Sequence, residues 1–327
     1  MTRWIEAWER GRIGRLARVA AALSAVAVVG GGCENDERAR RDGVLRVVVS
    51  VPPMAEFVRR LAPEAEVHVL IRPGQSCHAF ELRPSDVAAV RKADMVVLVG
   101  LGLESQAQGV FDRHARGADV WTFADAVGLK DGRAGHDHSG HDHAGHDHGD
   151  AEHTDSHLWL DAGLVMSALP SLAEAVARAA EAESLAGEGS GSAAAAIASR
   201  GDALVGEVKA CDEEVARELE PLKGEAMVTH HDSFGRFAER YGLTVACVIR
   251  PIATSEPSPD RISGALESIK RENARAIFVE PQFSPEAAER IAGLAGIRVG
   301  TLDPVGNEDW FALMRSVAGE VSRTLSP

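Results

Sequence analysis

The pattern that most constrains the fold is an alternation of short, β-branched apolar segments with longer segments whose apolar residues recur at helical spacing. The alternation occurs twice, before and after a long, proline-free, alanine-rich segment. Short strands that alternate with helices predict βαβ units and a parallel sheet. We therefore predict an α/β protein of two lobes, each a mostly parallel sheet flanked by helices, joined by a single long α-helix. The predicted strands cover residues 44–50, 66–71, 95–100, 119–123, 226–229, 244–249, 276–279 and 298–302.

The amino terminus predicts export from the cytoplasm. An arginine-rich start is followed by an Ala/Val-rich run that is too short to span a bilayer, which is typical of a signal peptide. Small residues precede Cys33, as at a lipoprotein cleavage site, although Gly30 stands where an apolar residue is usual. A lipid on Cys33 and a plain secretory signal are both open. The predicted segments are a signal peptide at 1–32, a polar linker at 33–43, an amino-terminal lobe at 44–186, a linking helix at 187–221 and a carboxyl-terminal lobe at 222–327.

A histidine-rich segment, 135–157, interrupts the amino-terminal lobe. It contains Gly-His-Asp-His written three times and has no apolar periodicity, so it predicts a solvated loop. Imidazole is a common ligand for zinc, copper and nickel, and the aspartates add negative charge that attracts a cation. We expect the loop to bind metal with low affinity, or to be a tolerated insertion with incidental affinity. Its histidines are His136, His138, His141, His143, His146, His148 and His153.

Polar residues directly after the predicted strands are candidate ligands, because open α/β sheets bind ligands at the carboxyl ends of their strands. Three histidines and one aspartate from both lobes form a closed set that suits tetrahedral zinc. Each also has an ordinary interpretation, because a histidine in a turn is commonly solvated, and a carboxylate before proline is commonly part of the turn. The four candidates are His78, His157, His231 and Asp303.

Charge and cysteine content narrow the function class. The net charge of −14 argues against a nucleic-acid partner, which would need a basic face, and weakly favours a cationic ligand. The cysteine spacings contain no CxxC, so a structural zinc module is not expected. Cys77 is open to three interpretations: a packed small residue, a disulfide partner or an extra zinc ligand. Cys211 is expected in a helix core and Cys247 in a strand.

Five segments carry a resemblance to a known family. The sequence resembles the zinc-binding substrate-binding proteins of bacterial ABC transporters that have a rigid helix between their lobes. The match covers most of the chain after the signal peptide, with a histidine-rich insertion where zinc-binding members have theirs. Cys77 departs from the pattern. The segments are PGQSCHAFELRPSD (73–86), DSHLWLDA (155–162), THHDSFGRFAERYGL (229–243), FVEPQFSPEAAERIAG (278–293) and TLDPVG (301–306).

The resemblance implies specific roles for residues. The family's three histidine ligands correspond to His78, His157 and His231, and Asp303 matches a fourth ligand that other members replace by water or a nearby acid. Two further residues, Asp161 beside His157 and Glu280, would hold ligand histidines in place from a second layer.

The implied function is that of an extracytoplasmic, non-enzymatic protein that delivers Zn²⁺ to an ABC importer. Its partners would be the permease and the ATPase, with membrane contact only through a lipid anchor, and the protein would be a monomer of the periplasm or cell envelope. A manganese-binding relative or a metal-dependent adhesin of the same fold is the alternative; manganese members have a carboxylate in place of His231. A secreted zinc hydrolase is remote, because the sequence lacks HExxH and the ligand set is closed.

Overall fold

The computed structural model describes residues 43–129, 155–184, 190–250, 258–307 and 309–326. The predicted signal peptide, Cys33 and the seven histidines from His136 to His153 lie outside the described residues. Among the helices of the described ranges, none is both long and apolar enough to cross a membrane.

The first lobe is built on a four-stranded parallel sheet in the order β2-β1-β3-β4. The inner strand β1 is deeply buried, and its Val47, Val48 and Val49 are at most 2% exposed. Such burial on both faces is typical of a parallel sheet that helices cover. The elements are β1 (Arg46–Val49), α1 (Pro52–Leu61), β2 (Glu66–Val69), α2 (Pro84–Lys92), β3 (Met95–Leu98), α3 (Gln108–His114), β4 (Asp119–Thr122) and α4 (Phe123–Ala126).

Two long helices follow the first lobe. A 3₁₀ turn at Leu158–Leu160 leads into α5 (Ala162–Ser184), and α6 (Ser190–Leu219) then runs for 30 residues. At 1.5 Å per residue, α6 is about 45 Å long. It is the long helix that the sequence predicted between the two lobes.

The second lobe repeats the topology of the first. Its four parallel strands lie in the order β6-β5-β7-β8. In both lobes the direction of winding therefore reverses beside the first strand, which creates a crevice at the carboxyl ends of the strands. The elements are β5 (Ala226–His231), α7 (Gly235–Tyr241), β6 (Thr244–Arg250), α8 (Pro259–Glu272), β7 (Ala276–Val279), α9 (Glu286–Ala295), β8 (Arg298–Thr301) and α10 (Trp310–Leu325).

The long helix packs between other helices over much of its length. It contacts α5 and α1 from the first lobe and α10 from the carboxyl terminus. One apolar core therefore extends from the first sheet through these helices, while a smaller core lies between the second sheet and α8 and α9. Two indole N–H groups join the lobes directly: Trp159 donates to the carbonyl of Pro304 at 2.6 Å, and Trp310 donates to the carbonyl of Trp159 at 2.7 Å.

The two-lobe α/β architecture predicted from the sequence is confirmed, and each predicted strand overlaps an observed one. The apolar spacing of residues 104–115 predicts a helix, but α3 begins only at Gln108. The Glu104 carboxylate accepts the backbone N–H groups of Val99 and Gly100, which holds a turn where the helix was expected. Gly100 is required there, because its φ is +86° and a Cβ would lie 2.7 Å from Thr122 Cγ2.

Candidate metal centre

The loop after β2 carries Cys77 and His78, and a buried carboxylate holds both of its ends. Asp86 accepts hydrogen bonds from the Arg72 guanidinium at 2.7 Å and from the backbone N–H of Arg83 at 2.7 Å. Burial acts to raise the pKa of Asp86, but these donors outweigh it, and the pKa is lowered. Asp86 therefore stays charged, and the loop between its two donors is fixed at the edge of the first sheet.

Within this loop, Cys77 is buried and His78 is half-buried. Two hydrogen bonds hold the backbone of His78. Its N–H donates to Ser76 Oγ at 3.3 Å, and its carbonyl accepts from Gln106 Nε2 at 2.5 Å. Gln106 belongs to the turn that follows β3. The loops after β2 and β3 are thus joined at the residue whose imidazole was predicted to bind metal.

His157 lies just before the 3₁₀ turn and is 1% exposed. Asp155 Oδ1 lies 2.8 Å from His157 Nδ1 and also accepts the backbone N–H of His157 at 2.8 Å. A carboxylate at Nδ1 places the ring proton there and leaves Nε2 as the nitrogen with a free lone pair. That nitrogen faces Cys77 Sγ, at 3.4 Å.

The pKa of His157 is raised well above 6.5. Burial alone would lower it, but the negative charge that Cys77 and Asp155 offer favours the imidazolium. In the metal-free protein the lone pair of Nε2 therefore tends to take up a second proton. A metal ion that binds Nε2 must displace that proton.

His231 is the last residue of β5, a strand in which every residue is buried. Its Nδ1 lies 3.5 Å from Glu280 Oε1, and Glu280 directly follows β7, the neighbouring strand. Ser233 Oγ donates to the same carboxylate oxygen at 2.6 Å. Burial acts to raise the pKa of Glu280, but His231 and Ser233 outweigh it and lower the pKa. A charged carboxylate therefore lies behind the imidazole at the winding reversal of the second lobe.

The structure brings the three predicted histidines together. The ring centroids of His78 and His231 lie 4.9 Å apart, those of His78 and His157 5.3 Å, and those of His157 and His231 5.9 Å. The adjacent His230 instead contacts Phe283, at 5.2 Å between ring centroids. The sequence predicts one cluster of ligands from both lobes, and the three histidines form such a cluster.

A tighter group within this cluster includes a residue whose role the sequence left open. Ligand atoms of Cys77, His78 and His157 all lie within 4.8 Å of one another. The cysteine thiols of the described residues, Cys77, Cys211 and Cys247, are free, and Cys211 and Cys247 lie in α6 and β6 as expected.

Asp303 and Asp161 have other contacts. Asp303 Oδ1 accepts the backbone N–H groups of Val305 and Gly306, both at 3.0 Å, and is a turn carboxylate of the kind that precedes proline. Asp161 Oδ1 accepts the N–H of Gly163 at 2.8 Å at the start of α5.

The carboxylate at His157 is Asp155, whereas the resemblance predicts Asp161 in this role. The chain does offer a signal for it, since an acidic residue two positions before a histidine can reach both its backbone and its ring.

Comparison with known proteins shows the family. The family described as "Zinc-uptake complex component A periplasmic", ZnuA, matches residues 47–323. The chain belongs to this family. The high-affinity zinc uptake system protein ZnuA of Brucella suis biovar 1 (strain 1330) is 30% identical to it over 92% of this chain and 97% of the Brucella protein.

Two solved structures share the fold. A crystal structure of ZnuA superposes with a TM-score of 0.69 at 23% identity, over 86% of this chain and 100% of the other. The periplasmic zinc-binding protein TroA of Treponema pallidum has a TM-score of 0.68 at 19% identity, over 86% and 99%.

Membership in a zinc-uptake family confirms several predictions. The chain is a transport component rather than an enzyme, and Zn²⁺ is its ligand. The family is periplasmic, in agreement with the predicted extracytoplasmic location. The family description names zinc, and the manganese-binding alternative stays a prediction.

Proposed function

We propose that this protein captures Zn²⁺ with high affinity in the extracytoplasmic space and delivers it to an ABC importer made of a permease and its ATPase. The observation that carries the proposal is the convergence of His78, His157 and His231, with ring centroids 4.9–5.9 Å apart, in a family of zinc-uptake components. Imidazole nitrogens suit zinc, whereas manganese prefers carboxylate and carbonyl oxygens.

Two carboxylates support the choice of these histidines. Asp155 contacts His157 Nδ1, and Glu280 lies near His231 Nδ1. Outer carboxylates of this kind fix the ring orientation and raise the basicity of the coordinating nitrogen. In the proposed site the three histidines supply nitrogens and Asp303 supplies an oxygen. The turn contacts of Asp303 make it the least supported member.

The histidine-rich loop is proposed as a low-affinity collector that raises the local zinc concentration. Its histidines lie outside the described residues, so the proposal rests on composition alone. Deletion of residues 135–149 should leave one tight zinc site and remove only weak binding. Loss of the tight site on this deletion would refute the division between collector and site.

The protein is further proposed to act as a monomer that a lipid on Cys33 attaches to the membrane. The proposal rests on the small residues before Cys33. A Cys33→Ala variant should be released from membranes into the soluble extract, and gel filtration of this variant should give the mass of a single chain. Retention of the variant on membranes would exclude this anchor.

Metal analysis tests the binding function. One tight zinc per chain is expected for the wild type in competition with a chelator, and His157→Ala should lose it. His114→Ala is the matched control, because His114 lies at the end of α3 outside the cluster. Equal tight binding by wild type and His157→Ala would contradict the proposed site.

Zinc uptake tests delivery. Cells that lack the gene should accumulate less zinc in chelator-treated medium. Wild-type protein should restore accumulation, and His157→Ala should not. Unchanged accumulation in the deletion strain would contradict delivery to an importer.

A further inference from the structure

Cys77 is the one member of the tight ligand group that the proposed zinc site does not use. It is 2% exposed and directly precedes His78, in the loop that Asp86 holds at both ends. Its sulfur faces the nitrogen of His157 that the Asp155 carboxylate leaves with a free lone pair. The question is whether this sulfur belongs to the metal site or only packs beside it.

The separation of the two atoms agrees with a shared metal ion. Zinc lies about 2.3 Å from a cysteine sulfur and about 2.05 Å from an imidazole nitrogen, so two such ligands on a tetrahedron are about 3.5 Å apart. Cys77 Sγ and His157 Nε2 are 3.4 Å apart. The half-buried Asp155 carboxylate holds the ring from the far side, so the nitrogen is already oriented toward the sulfur.

We infer that Cys77 is a ligand of the transported metal ion, and that its sulfur completes a set with His78, His157 and His231. This inference rests on the proposed function, because it concerns the same site. Cys77 then takes the place of Asp303 as the fourth ligand. To reach a metal ion, the Asp303 oxygen would have to give up its hydrogen bonds from Val305 N and Gly306 N.

The binding step is balanced without any co-reactant. The thiolate is the form of cysteine that binds metal. Cys77 Sγ and His157 Nε2 share one proton in the metal-free protein, and as the S–Zn and N–Zn bonds form this proton passes to solvent. Zinc is neither oxidised nor reduced.

A sulfur ligand changes what the site selects. Thiolate is a soft ligand that favours zinc and Cu(I), whereas manganese favours oxygen. Replacement of Cys77 by serine substitutes a hard hydroxyl of similar size. The Cys77→Ser variant should therefore lose zinc affinity by at least about tenfold. Loss of a residue that only supports a ligand already costs about that much, and loss of a ligand should cost no less. Its manganese affinity should change less.

Cobalt spectroscopy of the full chain tests the inference. Co²⁺ replaces zinc in tetrahedral sites, and a cobalt–thiolate bond gives a near-ultraviolet charge-transfer band that imidazole and carboxylate ligands do not. The first equivalent of Co²⁺ should produce this band in the wild type and in Cys247→Ser, the matched control in β6. Cys77→Ser should still bind the first equivalent but should lack the band.

The outcomes separate the inference from the proposed function. If the wild type binds one tight Co²⁺ without the thiolate band, or if Cys77→Ser keeps the band, Cys77 is not a ligand and the histidine site stands. If the wild type binds no tight metal ion at all, the proposed function and the inference both fail. If Cys77→Ser does not fold, the presence or absence of the thiolate band in the wild-type spectrum still shows whether a cysteine binds the metal ion.

Discussion

Removal of the Asp155 carboxylate should weaken zinc binding without removing any predicted ligand. Asp155 Oδ1 contacts both Nδ1 and the backbone N–H of His157, each at 2.8 Å, and Oδ2 accepts the N–H of Arg236 at 3.3 Å. Loss of a carboxylate that supports a ligand histidine costs about 10- to 100-fold in metal affinity. This range corresponds to about 1.4–2.8 kcal/mol of binding free energy.

The size of the loss should depend on pH, because Asp155 has two opposite effects. It orients His157 for the metal ion, but it also helps to raise the pKa of the ring, so that a proton competes with zinc. In Asp155→Ala, burial still lowers the pKa of His157 and Cys77 still raises it, but the contribution of Asp155 is lost, so the pKa is lower than in the wild type. Proton competition is then weaker in the variant at low pH. The loss of affinity should therefore approach about 100-fold near pH 8.5 and fall below about tenfold near pH 6.

Competition titrations with a chelating indicator at both pH values measure these losses. Asp161→Ala is the matched control, since Asp161 caps α5 and should cost about 1 kcal/mol of unfolding free energy with zinc affinity intact. A loss for Asp155→Ala that is larger near pH 6 than near pH 8.5, or an equal loss for Asp161→Ala, would refute the reasoning.

Two further predictions concern the other histidines and the stability of the protein. His231→Ala should lose more than about 100-fold in zinc affinity, because His231 joins the histidine cluster and lies near Glu280. His230→Ala should lose less than about tenfold, because the ring of His230 contacts Phe283. Equal losses in the same titration would contradict this prediction. The raised pKa of His157 means that protonation of this ring stabilises the metal-free protein. This stabilisation is fully present below about pH 6.5 and is lost as pH rises through the raised pKa. Zinc binding instead strengthens as pH rises, because fewer protons compete for the imidazole. The zinc-induced increase in Tm should therefore grow from about pH 6 to about pH 8, and a constant increase would contradict the assignment.

Much of the fold could be predicted because its strands are short apolar runs between turn signals. Met95–Leu98 is an example: it is flanked by an aspartate and a glycine, and it became the inner strand β3. The late start of α3 could not be predicted, since it depends on the Glu104 carboxylate turning back to Val99 and Gly100. That contact competes with helix formation only once β3 is in place.

The histidines of the site were easier to predict than their supporting groups. His78 lies in the loop after β2 and His231 ends β5, so the topology brings each histidine to the carboxyl edge of its own sheet. Two carboxylates flank His157, at positions −2 and +4, and spacing cannot tell which one faces the imidazole. The choice depends on the 3₁₀ turn at Leu158–Leu160, after which Asp161 begins α5 and Asp155 remains beside the ring.

The role of Cys77 also depends on geometry that the sequence does not contain. A cysteine next to a histidine can point toward the core or toward the site. Here the loop between Arg72 and Arg83 is held by Asp86, and the sulfur comes to 3.4 Å from His157 Nε2.

X-ray absorption at the zinc edge, on protein loaded with less than one equivalent of zinc, identifies the ligands of the tight site. We expect imidazole scattering from three histidines at about 2.0–2.1 Å, with a sulfur neighbour at about 2.3 Å if Cys77 binds. The imidazole signal should fall in His157→Ala and stay unchanged in His114→Ala. A first equivalent surrounded mainly by oxygen, with a spectrum that His157→Ala does not alter, would contradict the histidine site.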